Sequence, residues 1–476
     1  MARRELVLIG LLLVGAALCA GCTQPPSAGT LSSATPTVGA NGTQAPSAAI
    51  STTPDLIAFV RNAAVFARER GQQAALAAFN DPHGPFAAGD VRVFALDYNG
   101  TLLADPGERG AFGANISNRT DTFGIPFVRN LLETARFGRG FVSYDEPNPR
   151  SNAIAEPKLT VVEDVDGTYC VAAGFFASEG DVFPSTVLNT TRGKADVDDL
   201  VAFVKGGVAY AREHGRERAL AAFNDPAGQF VRGELVIFAL DRNGTVLASP
   251  PYAQEVQRNR INLVNYQDPD GVNTIRGMRA LSRTGGGFLY TVAKVTVNGT
   301  DLYLPKIDYA EPVDDDWWLF SGIIDPAYAG AVSGNLSGLP VRNHSRFEVW
   351  DQVKRAADFA QANGKEQALA AIGDPKGPFV RGDLFVWAEG TDGTVLADPF
   401  WKEGVGKNYL DVTDAHGMKT TRVGIDLMEH GSGFSHALFA NTTTNSTALL
   451  PKLVYMRPVD ETWWIGGGIY GVEVKG

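Results

Sequence analysis

Ala77-Ala-Phe-Asn-Asp-Pro-His-Gly-Pro-Phe86 decides the fold, because the chain repeats it. It returns as Ala221-Ala-Phe-Asn-Asp-Pro-Ala-Gly-Gln-Phe230 and as Ala370-Ala-Ile-Gly-Asp-Pro-Lys-Gly-Pro-Phe379. A second block follows each time: Val93-Phe-Ala-Leu-Asp97, Ile237-Phe-Ala-Leu-Asp241 and Val386-Trp-Ala-Glu-Gly390, each leading through Asn-Gly or Asp-Gly to Leu-Ala-Asp-Pro or Leu-Ala-Ser-Pro. Next come Pro157-Lys158, Pro305-Lys306 and Pro451-Lys452. The closing blocks are Val165-Asp-Gly-Thr-Tyr169, Val313-Asp-Asp-Asp-Trp-Trp318 and Val459-Asp-Glu-Thr-Trp-Trp464. One order at near-equal spacing is the signature of a tandem repeat.

Each copy reads alike. Leu56, Phe59, Val60, Ala63 and Ala67, and again Leu200, Phe203, Val204, Val208 and Ala211, recur at helical spacing. Asp81-Pro82, Asp225-Pro226 and Asp374-Pro375 stop that helix, since proline cannot continue it. Two strands flank a hairpin turn whose Asn-Gly or Asp-Gly tolerates positive φ. A shorter helix follows, over 125–137 in the first copy, and three strands close the unit, at 140–144, 158–165 and 169–176. The pattern predicts an α+β fold: three modules, each a long N-terminal helix packed on a five-stranded antiparallel sheet. Their expected bounds are 54–178, 196–326 and 347–476, with linkers at 179–195 and 327–346.

At 476 residues the chain suits about three domains. A formal charge of −11 with no basic run argues against a nucleic-acid partner. Of three cysteines, Cys19 and Cys22 lie in the N-terminal segment, so Cys170 is left alone, which excludes a disulfide framework and a cysteine zinc site. Its alternating surroundings predict a buried, inert thiol. Six histidines show no ligand spacing. Asp81, Asp225 and Asp374 read as turn formers. Asp268-Pro-Asp-Gly271 and Asp314-Asp-Asp316 lack the other ligands of a calcium loop and read as solvated turns. No metal and no cofactor is expected.

Arg3-Arg4, an apolar run from Leu6 to Leu18 and Cys19-Ala-Gly-Cys22 describe a signal peptide. Ala20-Gly21-Cys22 resembles a lipobox with Cys22 as the lipidated residue, although Cys19 stands where leucine is usual. An uncleaved anchor helix is the alternative, and both put the remainder outside the cytoplasm. Residues 23–53, nearly all Thr, Ser, Pro, Gly, Ala and Gln, read as a disordered tether. Asn-x-Ser/Thr triplets recur from Asn41 to Asn445, as turn chemistry or as glycan acceptors.

The ordered blocks resemble the single Cache domain, a PAS-like extracytoplasmic sensor module of chemoreceptors, sensor kinases and related lipoproteins. Copy 3 fits best, with Gly-Gly-Gly-Ile-Tyr470 at its end; copy 1 departs most, carrying Tyr169-Cys170 in place of Trp-Trp. The resemblance implies a small-molecule pocket between the sheet and the inserted segment, often for carboxylates or amino acids. Two cations recur in register. Arg129, Arg276 and Arg422 start the short helix, each twelve residues before Phe141, Phe288 and Phe434, and Lys158, Lys306 and Lys452 open a strand. An arginine fork beside a lysine charge suits a small carboxylate. Aromatic walls could come from Trp317 or Trp318, Trp463 or Trp464, Tyr309 and Tyr455, with Tyr290 and His436 at equivalent strand positions. The plainer alternatives are arginines on an exposed helix face, lysines that blunt an edge strand, and one tryptophan of each pair in the core. No nucleophile, metal or phosphate-loop motif occurs, so no enzyme is expected. The expected function is an extracytoplasmic binding lipoprotein for a small organic anion or amino acid, tied to the membrane by its lipid and working through a separate transmembrane signalling protein. A glycosylated surface spacer or adhesion protein is the second reading, and a carbohydrate-active enzyme ranks last.

Overall fold

The computed structural model describes residues 50–180, 182, 195–250, 260–428, 431–444 and 447–475. The signal segment with Cys22, nearly all of the tether and most of the first linker lie outside the described residues. Module 1 contains α1 (Thr53–Arg70), α2 (Gln72–Phe79), β1 (Phe94–Asp97), β2 (Leu102–Ala104), α3 (Phe127–Arg136), β3 (Arg139–Asn148), β4 (Ala153–Asp164) and β5 (Tyr169–Phe176). Module 2 contains α4 (Val197–His214), α5 (Arg216–Phe223), β6 (Phe238–Asp241), β7 (Val246–Ala248), β8 (Asn262–Asn265), α6 (Thr274–Arg283), β9 (Gly287–Val297), β10 (Thr300–Pro312) and β11 (Trp317–Ile324). Module 3 contains α7 (Arg346–Asn363), α8 (Lys365–Ile372), β12 (Leu384–Gly390), β13 (Val395–Ala397), α9 (Thr420–Leu427), β14 (Gly433–Ala440), β15 (Leu449–Asp460), β16 (Trp463–Tyr470) and β17 (Glu473–Lys475).

The long helices start at side-chain caps: Thr52, Asp196 and Ser345 accept the backbone N–H of Asp55, Asp199 and Glu348. Each buries one stripe on its sheet, in α1 the side chains of Leu56, Val60, Ala63, Ala64 and Ala67. Where one helix is expected up to the Asp-Pro turn, the structure has two. The first ends at Gly71, Gly215 or Gly364, at φ +79°, +79° and +83°, a backbone that a side chain resists. The short second helix then ends at the Asp-Pro turn, where Asp81, Asp225 and Asp374 accept the N–H of the residue two positions on.

Each sheet runs in the order β2-β1-β5-β4-β3 or its equivalent, antiparallel throughout the module's own strands. The long helix covers one face, and α3, α6 or α9 lies on the other. The lysine-bearing strands β4, β10 and β15 are flanked on both sides, so the lysines do not blunt an edge.

The modules interlock. β8 of module 2 pairs in parallel with β3 of module 1 as a sixth strand. A Cβ at Gly140 would stand 2.2 Å from the Asn262 carbonyl, so this approach requires glycine there. β17 of module 3 pairs with β10 of module 2. The turn at Asp268–Gly271 is not solvated: Asp268 and Asp270 are buried because the turn inserts against module 3. Arg342 grips Asp270 with two hydrogen bonds of 2.7 and 2.5 Å, and His436 Nε2 stands 3.3 Å from the same carboxylate. Burial alone would raise this carboxyl, but the Arg342 guanidinium overrides it and holds the group well below the usual range. Between modules 3 and 1, Arg346 pairs with Asp145 at 2.9 Å and lies over the rings of Phe123 and Phe434. By contrast, Asp314–Asp316 is the exposed turn expected.

Candidate functional site

On the face of the module 3 sheet away from α7, a cavity of about 250 Å³ opens beneath α9. Strand alternation builds its floor: Trp387 and Glu389 on β12, Ser435, Ala437 and Phe439 on β14, and Lys452, Val454 and Met456 on β15 project to one side. Trp464, Tyr470, Phe385, Trp401, Asp398 and Gly424 of α9 complete the wall.

Among the described residues, larger side chains stand at the equivalent positions of the other modules. Strand register equates Ala437 with Tyr144 of module 1, since they face Lys452 and Lys158 across the sheet. Tyr144 stacks on Phe127 with centroids 4.4 Å apart, within a cluster holding Leu96, Leu131, Val162 and Cys170. Gly466 is equivalent to Phe320 of module 2, and Phe320 stacks on Phe238 at 5.0 Å. Counted from the aligned arginines, Gly424 stands where the others carry Leu131 and Met278, both fully buried. In module 3 the corresponding cluster shrinks to Met428, Val454, Met456 and Trp464, with Trp387 and Ile425 against it.

The three lysines diverge accordingly. Lys158 reaches Glu146 at 3.2 Å, and Lys306 is locked to Asp308, which also accepts from Thr291. Lys452 has no carboxylate partner among the described residues. Its Nζ instead stands 4.5 Å from the Trp387 centroid, 4.8 Å from those of Phe385 and Tyr470 and 5.9 Å from that of Phe439. Ring faces stabilise a desolvated cation in part and leave its hydrogen-bond donors unused.

Glu389 accepts from Trp387 Nε1 at 3.0 Å through Oε1. Its Oε2 and Trp464 Nε1 are buried without a partner. Burial pushes the Glu389 carboxyl up to about 7, with Asp398 adding to the rise and Lys452 and the Trp387 bond opposing it. Between the unfolded carboxyl's pKa of about 4.3 and the folded value, the folded protein keeps a proton that the unfolded chain has lost. Stability from this group is therefore greatest below about pH 4 and falls as pH rises to about 7. Glu389→Gln should stabilise the protein by about 1–3 kcal/mol at pH 8 and by nearly nothing at pH 4. Urea unfolding at both pH values checks this; an equal effect at both would contradict it.

The other expected residues are dispersed. Arg129 bonds Asn118 and Arg422 bonds Asp411, both on the exposed side of the short helix. Arg276 is buried in the seam, held by Glu133 of module 1 and by Asn265. Tyr290 donates to Asp414 at 2.5 Å and stands 2.9 Å from His416, across the seam with module 3. His436 faces Asp268 and Asp270, and Tyr455 donates to the Phe123 carbonyl. Tyr309 donates to Glu311. Trp317 and Trp463 sit in the core on the long-helix side, their N–H groups on Asp314 and Asp460. Of the twelve, Lys452 alone lines the cavity. Cys170, equivalent to Trp464 by register, is buried with its thiol pushed up to about 12 by burial.

The sequence signal for the missing residues was present in the second block. Glu389 occupies the position of Leu96 and Leu240, and a carboxyl at a position that is otherwise leucine marks a departure from plain core. Alternation likewise puts Trp464, not Trp463, opposite the long helix.

Among the described residues no group of His, Cys, Asp and Glu could hold a metal ion, and no helix is long and apolar enough to cross a membrane. No curated protein sequence matches the chain. Among solved structures, a methyl-accepting chemotaxis protein from Vibrio parahaemolyticus is 20% identical over 26% of this chain and 86% of its own, with a TM-score of 0.23. The ligand-binding domain of the Pseudomonas fluorescens chemoreceptor CtaA, in complex with L-isoleucine, is 11% identical over 58% of this chain and 86% of its own, with a TM-score of 0.21. A family model described as single Cache domain 2 matches residues 49–173 and 344–475, taking in modules 1 and 3 and more than half of the sequence. The chain belongs to the single Cache domain 2 family, whose members are sensor modules and not catalysts.

Proposed function

We propose that this is an extracytoplasmic sensory or solute-capturing lipoprotein that holds a small carboxylate or amino acid in module 3 and signals through a separate transmembrane protein. The observation that carries this reading is Lys452: a buried ammonium in an aromatic cavity with no carboxylate of its own among the described residues. A ligand carboxylate would supply the missing charge-assisted hydrogen bonds. The mixture of apolar wall and few polar groups is that of a small-molecule site. Modules 1 and 2, filled and self-paired, serve as supports. Shared strands and buried ion pairs between modules speak against a string of independent spacer beads. The signal segment and the lipobox-like Cys22 support export and a lipid anchor.

Calorimetric titration of the full chain with organic acids and amino acids tests the reading. Lys452→Met should weaken the ligand about tenfold to a hundredfold, the equivalent of the ~1.5–3 kcal/mol of a hydrogen bond to a charged group. If no acid or amino acid binds, or Lys452→Met leaves affinity unchanged, the proposal fails.

A further inference from the structure

Two side chains of opposite charge open into the module 3 cavity without pairing. Lys452 Nζ has no hydrogen bond among the described residues and stands 4.5 Å from the Trp387 ring centroid. Asp398 directly follows Ala397, which pairs with Ala388, so it leaves β13 beside Trp387 and on the same face of the sheet. Its Oδ1 accepts the N–H groups of Phe400 and Trp401, and its Oδ2 has no hydrogen bond among the described residues. Both residues are more than nine-tenths buried, both line the cavity, and both keep accessible surface on the unpartnered atom. The other polar groups of the lining are engaged, occluded or partly in solvent. Glu389 Oε1 accepts from Trp387, Tyr470 donates to the Ala440 carbonyl, and Ser435 Oγ stands 3.5 Å from the His436 carbonyl. Glu389 Oε2 and Trp464 Nε1 have essentially no accessible surface. Trp401, Thr420 and Thr421 are half-buried and Thr442 is exposed.

Resting on the binding reading above, we infer that module 3 takes an α-amino acid as its zwitterion: the carboxylate on Lys452, the ammonium on Asp398, and an apolar side chain against Phe439, Val454 and Met456. A plain carboxylate would satisfy Lys452 and bring a second negative charge into a low-dielectric space that already holds Asp398 without a partner. A plain amine would do the converse. The zwitterion brings one charge of each sign, so each buried group gains a charge-assisted hydrogen bond and the net charge inside is unchanged. Glu389 does not disturb this balance below about pH 7, where its raised carboxyl keeps its proton. A hydroxyl in place of the ammonium donates to Asp398 but supplies no charge. Because both protein charges border one indole, the ligand charges that meet them belong close together, as they are around one α-carbon. The volume agrees: a cavity of about 150 Å³ holds benzene, and about 250 Å³ leaves room for an amino acid with an apolar side chain.

Calorimetric titration of the full chain with the apolar L-amino acids from alanine to phenylalanine finds the side chain that fits. The best binder is then compared with its own deamino acid, its 2-hydroxy acid and its decarboxylated amine; for leucine these are 4-methylpentanoate, 2-hydroxy-4-methylpentanoate and 3-methylbutylamine. The amino acid should bind at least tenfold tighter than each of the three. Asp398→Asn, which keeps an oxygen for the Phe400 and Trp401 N–H groups, should erase its advantage over the deamino acid. Lys452→Met should erase its advantage over the amine. Asp398→Ser, carrying the residue that module 2 has at Ser249, is a second variant, and thermal unfolding of each controls for folding. If the deamino or 2-hydroxy acid binds as tightly as the amino acid and still depends on Lys452, the zwitterion is overturned and the binding reading stands. If Asp398→Asn weakens the amino acid and its deamino acid equally, the contact given to Asp398 is overturned. If no amino acid binds, the zwitterion is also overturned, and the titration with organic acids decides the binding reading separately.

Discussion

Asp270→Ala should destabilise the whole chain by about 3–5 kcal/mol at pH 7, because it strands a buried arginine. Asp270 is fully buried and the Arg342 side chain is 6% exposed. The substitution leaves Arg342 with its single backbone bond, to the Gly471 carbonyl, and takes the facing carboxylate from His436. Replacing both members of such a pair by apolar residues costs far less than removing one, so Asp270→Leu with Arg342→Met should recover most of the loss. The pH dependence has a fixed sign. A carboxylate held below its unfolded pKa of about 3.9 contributes above that pH and loses its contribution as pH falls toward the folded value. The gap between wild type and Asp270→Ala should accordingly close in strong acid. Urea midpoints at pH 7 and pH 3 measure both effects, and equal midpoints at pH 7 would refute the role given to this pair.

Gly424→Met should lower ligand affinity more than a hundredfold while leaving the protein at least as stable. The position is helical, and replacing glycine inside a helix gains about 0.5–1 kcal/mol of propensity. Methionine already occupies the equivalent site, as Met278, where it is fully buried. A Cβ at Gly424 would meet Met456 Sδ at 2.9 Å, a flexible atom that can yield, and the rest of the side chain must enter the cavity. The variant therefore converts module 3 toward the closed state of modules 1 and 2. Calorimetry beside thermal unfolding separates the two effects, and undiminished binding would mean that the ligand sits elsewhere.

How much of this was legible follows from the range of each cause. The helices, hairpins and Asp-Pro turns depend on neighbours within a few residues, so three copies of one pattern could be read directly. The break at Gly71, Gly215 and Gly364 was equally local, and the continuous helical periodicity hid it. Arg276 illustrates the opposite case. It matches Arg129 and Arg422 in sequence, yet its partner Glu133 belongs to another module and no spacing reports it. Asp270 reads as a solvated turn residue for the same reason: its burial comes from module 3, more than seventy residues away in the chain.

The repeated blocks by themselves determined three α+β modules, each a helix and an antiparallel sheet with a lysine in register, because alternation and turn chemistry act along one strand at a time. Only the tertiary structure decided which lysine remains without a carboxylate and which module stays open. Those outcomes depend on which side chains stand at the equivalent positions: Tyr144 and Leu131, buried in module 1, and Met278, buried in module 2, against Ala437 and Gly424, which line the cavity in module 3.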